Sequence, residues 1–153
     1  MCLGGHPRLQ PRERLTVEAA GCRFTDLELA YLRGEPLLGR LATVGPDGMP
    51  HVAPVGWSLD GTGQVIEISG RDFGRSKKFR DVVRTGRAAL VVDDVLPPWR
   101  PRGVEVRGRA EAVPGDRPRI LLYPARIVSW GLESGPTIED TYRARDVKGV
   151  ADA

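Results

Sequence analysis

A closed or partly closed antiparallel β-barrel, mainly β with a short N-terminal helix and one internal helix, is the fold predicted by this 153-residue sequence. Three observations lead there. Six stretches read as strands, bounded by Gly, Pro and Asp turn residues. One of them, Val104 to Val113, alternates cleanly, with Val104, Val106, Ala110 and Ala112 inward and Glu105, Arg107, Arg109 and Glu111 outward. Only one interior segment has helical spacing.

Residues 1–23 are rich in Pro, Arg and Gly without sustained periodicity and are expected to form a mobile arm. Structure is expected to begin at Thr25-Asp-Leu-Glu28, a capping box in which the Thr and Glu side chains satisfy each other's free amides. Leu27, Ala30 and Tyr31 are expected as the apolar stripe of a short lid-like helix, and Gly34 ends it.

Leu38–Val44 then leads through the turn Gly45-Pro-Asp-Gly48 to a second strand ending near Leu59. Pro50 and Pro54 lie in that second strand. Proline cannot donate to a ladder, so the strand must bulge there or leave one edge free. An edge without a neighbour is a place for a planar ligand or a second subunit to dock. Gln64–Ser69 is the third strand.

Arg75–Arg84 is the internal helix, with Phe79, Val82 and Val83 at i, i+3 and i+4. Ala88–Val92 is a continuous apolar run suited to a strand covered on both faces. The proline-rich loop Pro97-Pro-Trp-Arg-Pro101 precedes the alternating strand, and Ile120–Trp130 is the last strand, interrupted by Pro124. Residues 134–153 are polar and expected as a flexible tail, which leaves 24–133 as the domain.

Composition narrows the function. Hydrophobic residues make up 41% and charged residues 28%, ordinary for a soluble globular protein. No apolar run reaches the roughly 20 residues of a membrane helix, and the N-terminus lacks a secretory apolar region, so a cytoplasmic location is expected. Two cysteines (Cys2, Cys22) and two histidines (His6, His51) give no zinc-ligand spacing, so no metal is expected. The net charge of +3 is too mild to indicate nucleic acid. Between Arg71 and Arg87, however, seven basic residues face only Asp72 and Asp81, so the positive field is local. That patch lacks the interleaved exposed aromatics of a nucleic-acid binder. A strand that feeds a Gly-containing basic loop at a helix start is a physical recipe for holding a phosphate. Arg80 and Arg84 read more simply as a solvated helix face.

The pieces G-R-L-A-T-V-x-P-D-G-x-P-H-V-x-P-V (Gly39–Val55), S-K-K-F-R-D-V (Ser76–Val82), R-G-V-E-V-R-G-R-A-E (Arg102–Glu111) and P-A-R-I-V-S-W-G (Pro124–Gly131) stand in this order. Together they resemble the split-barrel flavin-binding family typified by pyridoxamine 5'-phosphate oxidase, and within it the branch that uses the deazaflavin coenzyme F420. The resemblance covers about residues 24–133. It implies a six-stranded split barrel, a homodimer with the cofactor at the subunit interface, and hydride transfer to or from a small-molecule substrate. It also implies a flavin-type ring along Ala53, Pro54, Val55 and Gly56, with Ile68 and Ser69 beside its phosphate. Lys77 and Lys78 fall on the paired phosphate-binding positions, with Ser76 and Arg75 adding contacts and Trp130 near the cofactor edge. Two cations at a helix start can neutralise a dianion.

The oxidase branch has an arginine at the position of Ala53 and a glutamine at that of Gly103, and its C-terminal basic segment has no counterpart after Gly131. Activity on vitamin B6 phosphates is therefore not expected, and the space at Ala53 and Gly103 suits a deazaflavin; FMN is the alternative cofactor. A non-catalytic flavin or deazaflavin carrier on the same fold is the other reading. His51 is open between a ligand contact and an exposed or interface position. Trp57 and Trp130 are open to core or interface roles, Trp99 to a subunit boundary, and Arg40 to pairing with an acidic neighbour. No residue holds a position that demands a catalytic acid or base.

Overall fold

The computed structural model describes residues 23–148. Chain order is α1 (Asp26–Leu32), β1 (Gly39–Val44), β2 (Pro50–Leu59), β3 (Ile66–Ser69), a 3-10 turn (Phe73–Arg75), α2 (Lys77–Thr85), β4 (Arg87–Leu96), β5 (Arg100–Val113), β6 (Arg119–Trp130), a second 3-10 turn (Glu139–Thr141) and β7 (Arg143–Asp146). The strands form one antiparallel sheet in the order β3-β2-β1-β4-β5-β6-β7, and β3 also pairs with β6, which closes six of them into a barrel. The expected architecture is present with one strand more than expected.

The extra strand is β7, in the segment expected as a flexible tail. Ala144 and Arg145 lie opposite Val128 and Ile127 of β6. Four residues with two arginines and an aspartate carry no strand pattern of their own, and only the unused edge of β6 makes them one. The arm expected over residues 1–23 falls outside the described residues except for Arg23, whose amide donates to Gln64 Oε1 at 2.7 Å.

Helix α1 starts with the expected capping box, Thr25 Oγ1 accepting from Glu28 N and Glu28 Oε2 from Thr25 N. Its buried stripe differs from the expected one. Leu29 and Leu32 enter the core with Phe24, while Leu27 is 50% exposed and Ala30 faces solvent. The reason is Glu28, itself buried. Its carboxylate takes two bonds from Arg145 of β7, at 2.6 and 2.7 Å, and that pair sets the rotation of the helix. Tyr31 adds a second tie by donating to Asp94 Oδ1 at 2.8 Å, where Arg102 also binds.

Inside the barrel, Leu41, Val55, Ile66, Ile68, Leu90, Val92, Val104, Val106, Ile120, Leu122 and Ile127 form the core. The alternation expected for β5 places Val104, Val106 and Ala110 inside as read. In β4, Leu90 and Val92 are buried but Ala89 and Val91 are only partly covered, so this chain alone covers one face of that strand. Helix α2 buries Phe79 and Val82, whereas Val83 is 67% exposed; the third buried position belongs to Asp81. Pro124 does not interrupt β6. The strand continues through a bulge at Ala125, opposite Gly108 of β5, and Cβ placed on Gly108 would run into the Tyr123 carbonyl.

Two outcomes follow from these contacts. Burial by itself would raise the Glu28 pKa, but the bonds from Arg145 and Thr25 outweigh it and hold the carboxyl below its ordinary value. The stability that this group contributes is complete above the unfolded carboxyl range of about 4.3 and is lost as pH falls through the lower folded value. Glu28→Gln should cost about 3 kcal/mol, near the low end for a broken buried pair because Arg145 is one-third exposed. Denaturant melts from pH 3 to 7 should show a flatter acid limb in the variant; an unchanged limb would refute the assignment. Gly108→Ala should cost about 2–3 kcal/mol and lower Tm by roughly 10 °C, as read by calorimetry.

Candidate functional site

β1 and β2 pair without a break from Val44↔Pro50 to Gly39↔Val55. The Gly45 amide donates to Met49 O, so the 45/49 pair is hydrogen-bonded and the 44/50 pair and every second pair after it are not. At the far end of β2, Asp60 N donates to Val65 O, and this sets the same alternation against β3. Pro50, Val52 and Pro54 therefore turn their backbone groups away from β1, toward the side that β3 occupies further along. But β3 reaches only to Ser69, opposite Gly56. Over Pro50–Val55 no strand among the described residues pairs with that edge, so of the two outcomes expected from the prolines, the free edge is the one realised. It offers three carbonyls and a single N–H, that of Val52.

Where β3 ends, the chain turns away through Gly70, Arg71 and Asp72, the last with left-handed φ of 49°. Phe73 then plugs the core and stands edge-on to Phe79, with centroids 6.0 Å apart. The start of α2 follows, with the Lys77 side chain against Gly45 in the turn between β1 and β2. Ser76 is the N-cap, accepting from Phe79 N and donating to Phe73 O at 2.6 Å, so its hydroxyl hydrogen is committed. Arg80 N reaches Ser76 O. The amides of Lys77 and Lys78 remain the uncommitted donors of the first turn among the described residues.

The two lysines point in different directions. Lys78 Nζ lies 5.5 Å from the Phe73 ring centre. Lys77 Nζ bonds both oxygens of Asp81, at 3.1 and 3.0 Å, and lies over the β1–β2 turn. Asp81 is buried and also accepts from Thr43 Oγ1 at 2.9 Å, while Arg84 reaches it at 3.4 Å. Burial would raise the Asp81 pKa, but the Lys77 and Thr43 bonds outweigh it and hold the carboxyl below its usual value. Sequence reading missed this cluster, although the i, i+4 spacing of Lys77 and Asp81 was a visible signal. The Arg75 side chain makes no hydrogen bond or ion pair among the described residues, and its carbonyl accepts from Arg80. A hollow of about 310 Å³ opens beside Ser69 and Gly70, walled by Arg117 and Arg119.

Gly56 lies opposite Ser69 across the β2–β3 pair, whereas the Lys77 side chain at the start of α2 lies against the β1–β2 turn. The side chains of Val55 and Ile68 are in the core and their backbone groups face β1 and β6, so neither residue offers a ligand a free group, and Ala53 faces inward opposite Leu41. His51 is opposite Thr43, and its Nδ1 is buried without a hydrogen-bond partner. A bound group that bonds to it would satisfy that atom. Trp130 ends β6, two strands from β2 by way of β3, and is stacked on Tyr142 with centroids 6.1 Å apart. The expected space at Gly103 is not there, because Cβ on Gly103 would lie 2.6 Å from the Trp130 indole and 2.8 Å from Asp93 Cβ. The glycine makes room for the tryptophan. Arg40 pairs with Asp93 at 2.5 Å, the acidic neighbour expected for it. Among the described residues no three or more His, Cys, Asp or Glu are grouped to hold a metal ion, and no helix is long and apolar enough to cross a membrane.

The model of the pyridoxamine 5'-phosphate oxidase family matches residues 25–142. A 5a,11a-dehydrotetracycline/5a,11a-dehydrooxytetracycline reductase of Streptomyces rimosus is 44% identical over 135 residues, taking in 81% of this chain and 93% of that protein. A solved F420 reductase is 26% identical with TM-score 0.51, over 64% of this chain and 94% of its own. A conserved hypothetical protein of Mycobacterium tuberculosis shares the fold at TM-score 0.59 with 22% identity, over 72% of this chain and 86% of its own. The closed sheet, the basic start of α2 and these matches have one meaning: the chain belongs to the pyridoxamine 5'-phosphate oxidase family of split β-barrels.

Proposed function

We propose that this protein is a reductase that uses the deazaflavin coenzyme F420 to reduce an activated double bond in a small, ketone-rich organic substrate. The observation that carries this reading is the 44% identity to a dehydrotetracycline reductase over nearly that protein's whole length. The likeness to an F420 reductase supports the choice of cofactor. When bound, the deazaflavin supplies the hydride. The chain's part is to hold and orient it. The Lys78 ammonium, the Lys77 ammonium and the two amides of the first α2 turn are donors for a phosphate, with Ser69 and Arg75 at its margin. The free edge of β2, over Pro50–Val55, can bond the rim of a planar heterocycle, and the partnerless Nδ1 of His51 supports a polar group nearby. Ala53 keeps its small side chain where the oxidase branch has an arginine.

The reading includes a homodimer that shares its sites and works in the cytoplasm. Leu38, Val44, Met49, Val52 and Val95 are exposed, and a trough of about 780 Å³ has an apolar wall of Ala42, Val44, Pro50 and Ala89 and a charged one of Arg87, Arg107, Arg109, Arg126 and Asp146. Exposed apolar side chains beside a charged rim suit a subunit contact.

Lys78→Ala should lose one charge-assisted bond, about 1.5–3 kcal/mol, and weaken coenzyme F420 binding roughly 10- to 100-fold. Fluorescence titration of F420, with FMN as competitor, measures both anchor and preference. F420 should bind at least about tenfold more tightly. Tighter FMN binding with oxygen-consuming turnover would give the case to an FMN enzyme. Val52, 67% exposed, tests assembly. Val52→Asp should leave a folded monomer by sedimentation, whereas a monomeric parent that binds cofactor fully would defeat the shared-site arrangement.

A further inference from the structure

The Lys77 ammonium is more closely determined than any other exposed cation at the start of α2. Its side chain is 43% exposed, yet two of its three N–H groups go to the oxygens of Asp81, one helical turn below. Asp81 is fixed in turn by Thr43 Oγ1 on β1 and by Arg84, which also donates to Val44 O. From the other side, the ammonium rests against the β1–β2 turn at Gly45. Cβ placed on Gly45 would lie 2.9 Å from Lys77 Nζ and 3.0 Å from Asp47 Oδ1, so alanine there would push aside these two side-chain ends and leave the backbone in place. Gly45 has no left-handed backbone angle. Its lack of a side chain therefore serves space, not conformation.

A buried carboxylate beside an anion site is a paradox on charge alone. Asp81 repels a phosphate, and a chain selected only for positive field would not keep it there. Its two cations, Lys77 and Arg84, leave the cluster positive, and its geometry allows the lysine little freedom. A lysine immobilised before the ligand arrives loses less rotamer entropy on binding.

We propose that Asp81 and Gly45 are positioning residues for the cofactor anchor: Asp81 tethers the Lys77 ammonium from α2, and the missing side chain of Gly45 leaves the hollow it occupies. Thr43 is the support that holds Asp81 in place. The proposal rests on the reading of Lys77 and Lys78 as phosphate ligands, and it makes an opposite prediction to simple electrostatics. Removing a negative charge next to an anion site should tighten binding if charge decides, and weaken it if placement decides.

The test is titration of coenzyme F420 into the full-length protein and its Lys77→Ala, Lys78→Ala, Asp81→Asn, Gly45→Ala and Lys77→Ala/Asp81→Asn variants, with a thermal midpoint for each. Lys77→Ala and Asp81→Asn should each weaken binding about tenfold. The double variant should be no weaker than Lys77→Ala within about twofold, because Asp81 acts through Lys77. A merely structural aspartate would give additive losses. Gly45→Ala removes no charge and no hydrogen bond, and should weaken binding about three- to tenfold by displacing the ammonium. It decides the matter if Asp81→Asn does not fold. Tighter or unchanged binding in Asp81→Asn or Gly45→Ala, while Lys77→Ala is weak, overturns the proposal and leaves the phosphate site standing. The same holds if Lys78→Ala is weak and Lys77→Ala is normal. Normal binding in both lysine variants removes the phosphate from α2 and the positioning roles with it.

Discussion

β6 gives the first part of one edge to β3, through Arg119–Leu122, and the second part to β7, through Arg126–Ser129. The bulge at Ala125 separates the two halves, and Gly108 is the residue that can face it. This division sets the shape of the rest. β3 meets β6 over only four residues and stops at Ser69, and the neighbouring part of β2 has no partner strand among the described residues. The loop leaving Ser69 leads through the Phe73 turn to α2, whose first lysine lies against the β1–β2 turn. The cleft is what remains when a six-stranded barrel is closed by strands of unequal length.

Two buried carboxylates hold the frame together, and both do so between elements distant in sequence. Glu28 links α1 to β7 across 117 residues, and Asp81 links α2 to Thr43 of β1 across 38. Each is surrounded by enough donors that its charged form is favoured despite burial. Such pairs add less net stability than their number of bonds suggests, because removing the charges from water is costly. Their geometric effect is firmer, since a carboxylate that needs two or three donors at once admits few orientations of the helix that carries it.

The parts of this fold that were legible in the sequence are those decided by neighbours in the chain. The Thr25–Glu28 capping box, the Gly45–Gly48 turn, the alternation of β5 and the helix start at Ser76-Lys-Lys belong to that group. So does the free edge of β2, because the two prolines allow few alternatives. What was not legible depends on distant partners. β7 is a strand only because β6 has an unused edge, and α1 turns Leu29 and Leu32 inward because Arg145 captures Glu28. Gly103 looked like vacated volume, but a glycine in a sequence does not reveal whether its space is empty or filled from another strand, here by Trp130. The basic helix start at Ser76, Lys77 and Lys78 was legible as a set of residue types. The direction of each side chain was not, and it separates Lys77 from Lys78.

The prolines of β2 have an effect beyond the choice of ligand. An unpaired strand edge on a protein's surface is a template on which another chain can add a strand, the first step toward domain swapping and fibril growth. A donor-rich edge would carry that hazard permanently. With Pro50 and Pro54 at two of the three outward-facing positions, a foreign strand finds one amide, at Val52, instead of three. The same two prolines leave three carbonyls as acceptors while denying a foreign strand two of its ladder bonds, so an edge unpaired among the described residues is a poor template for adding polypeptide.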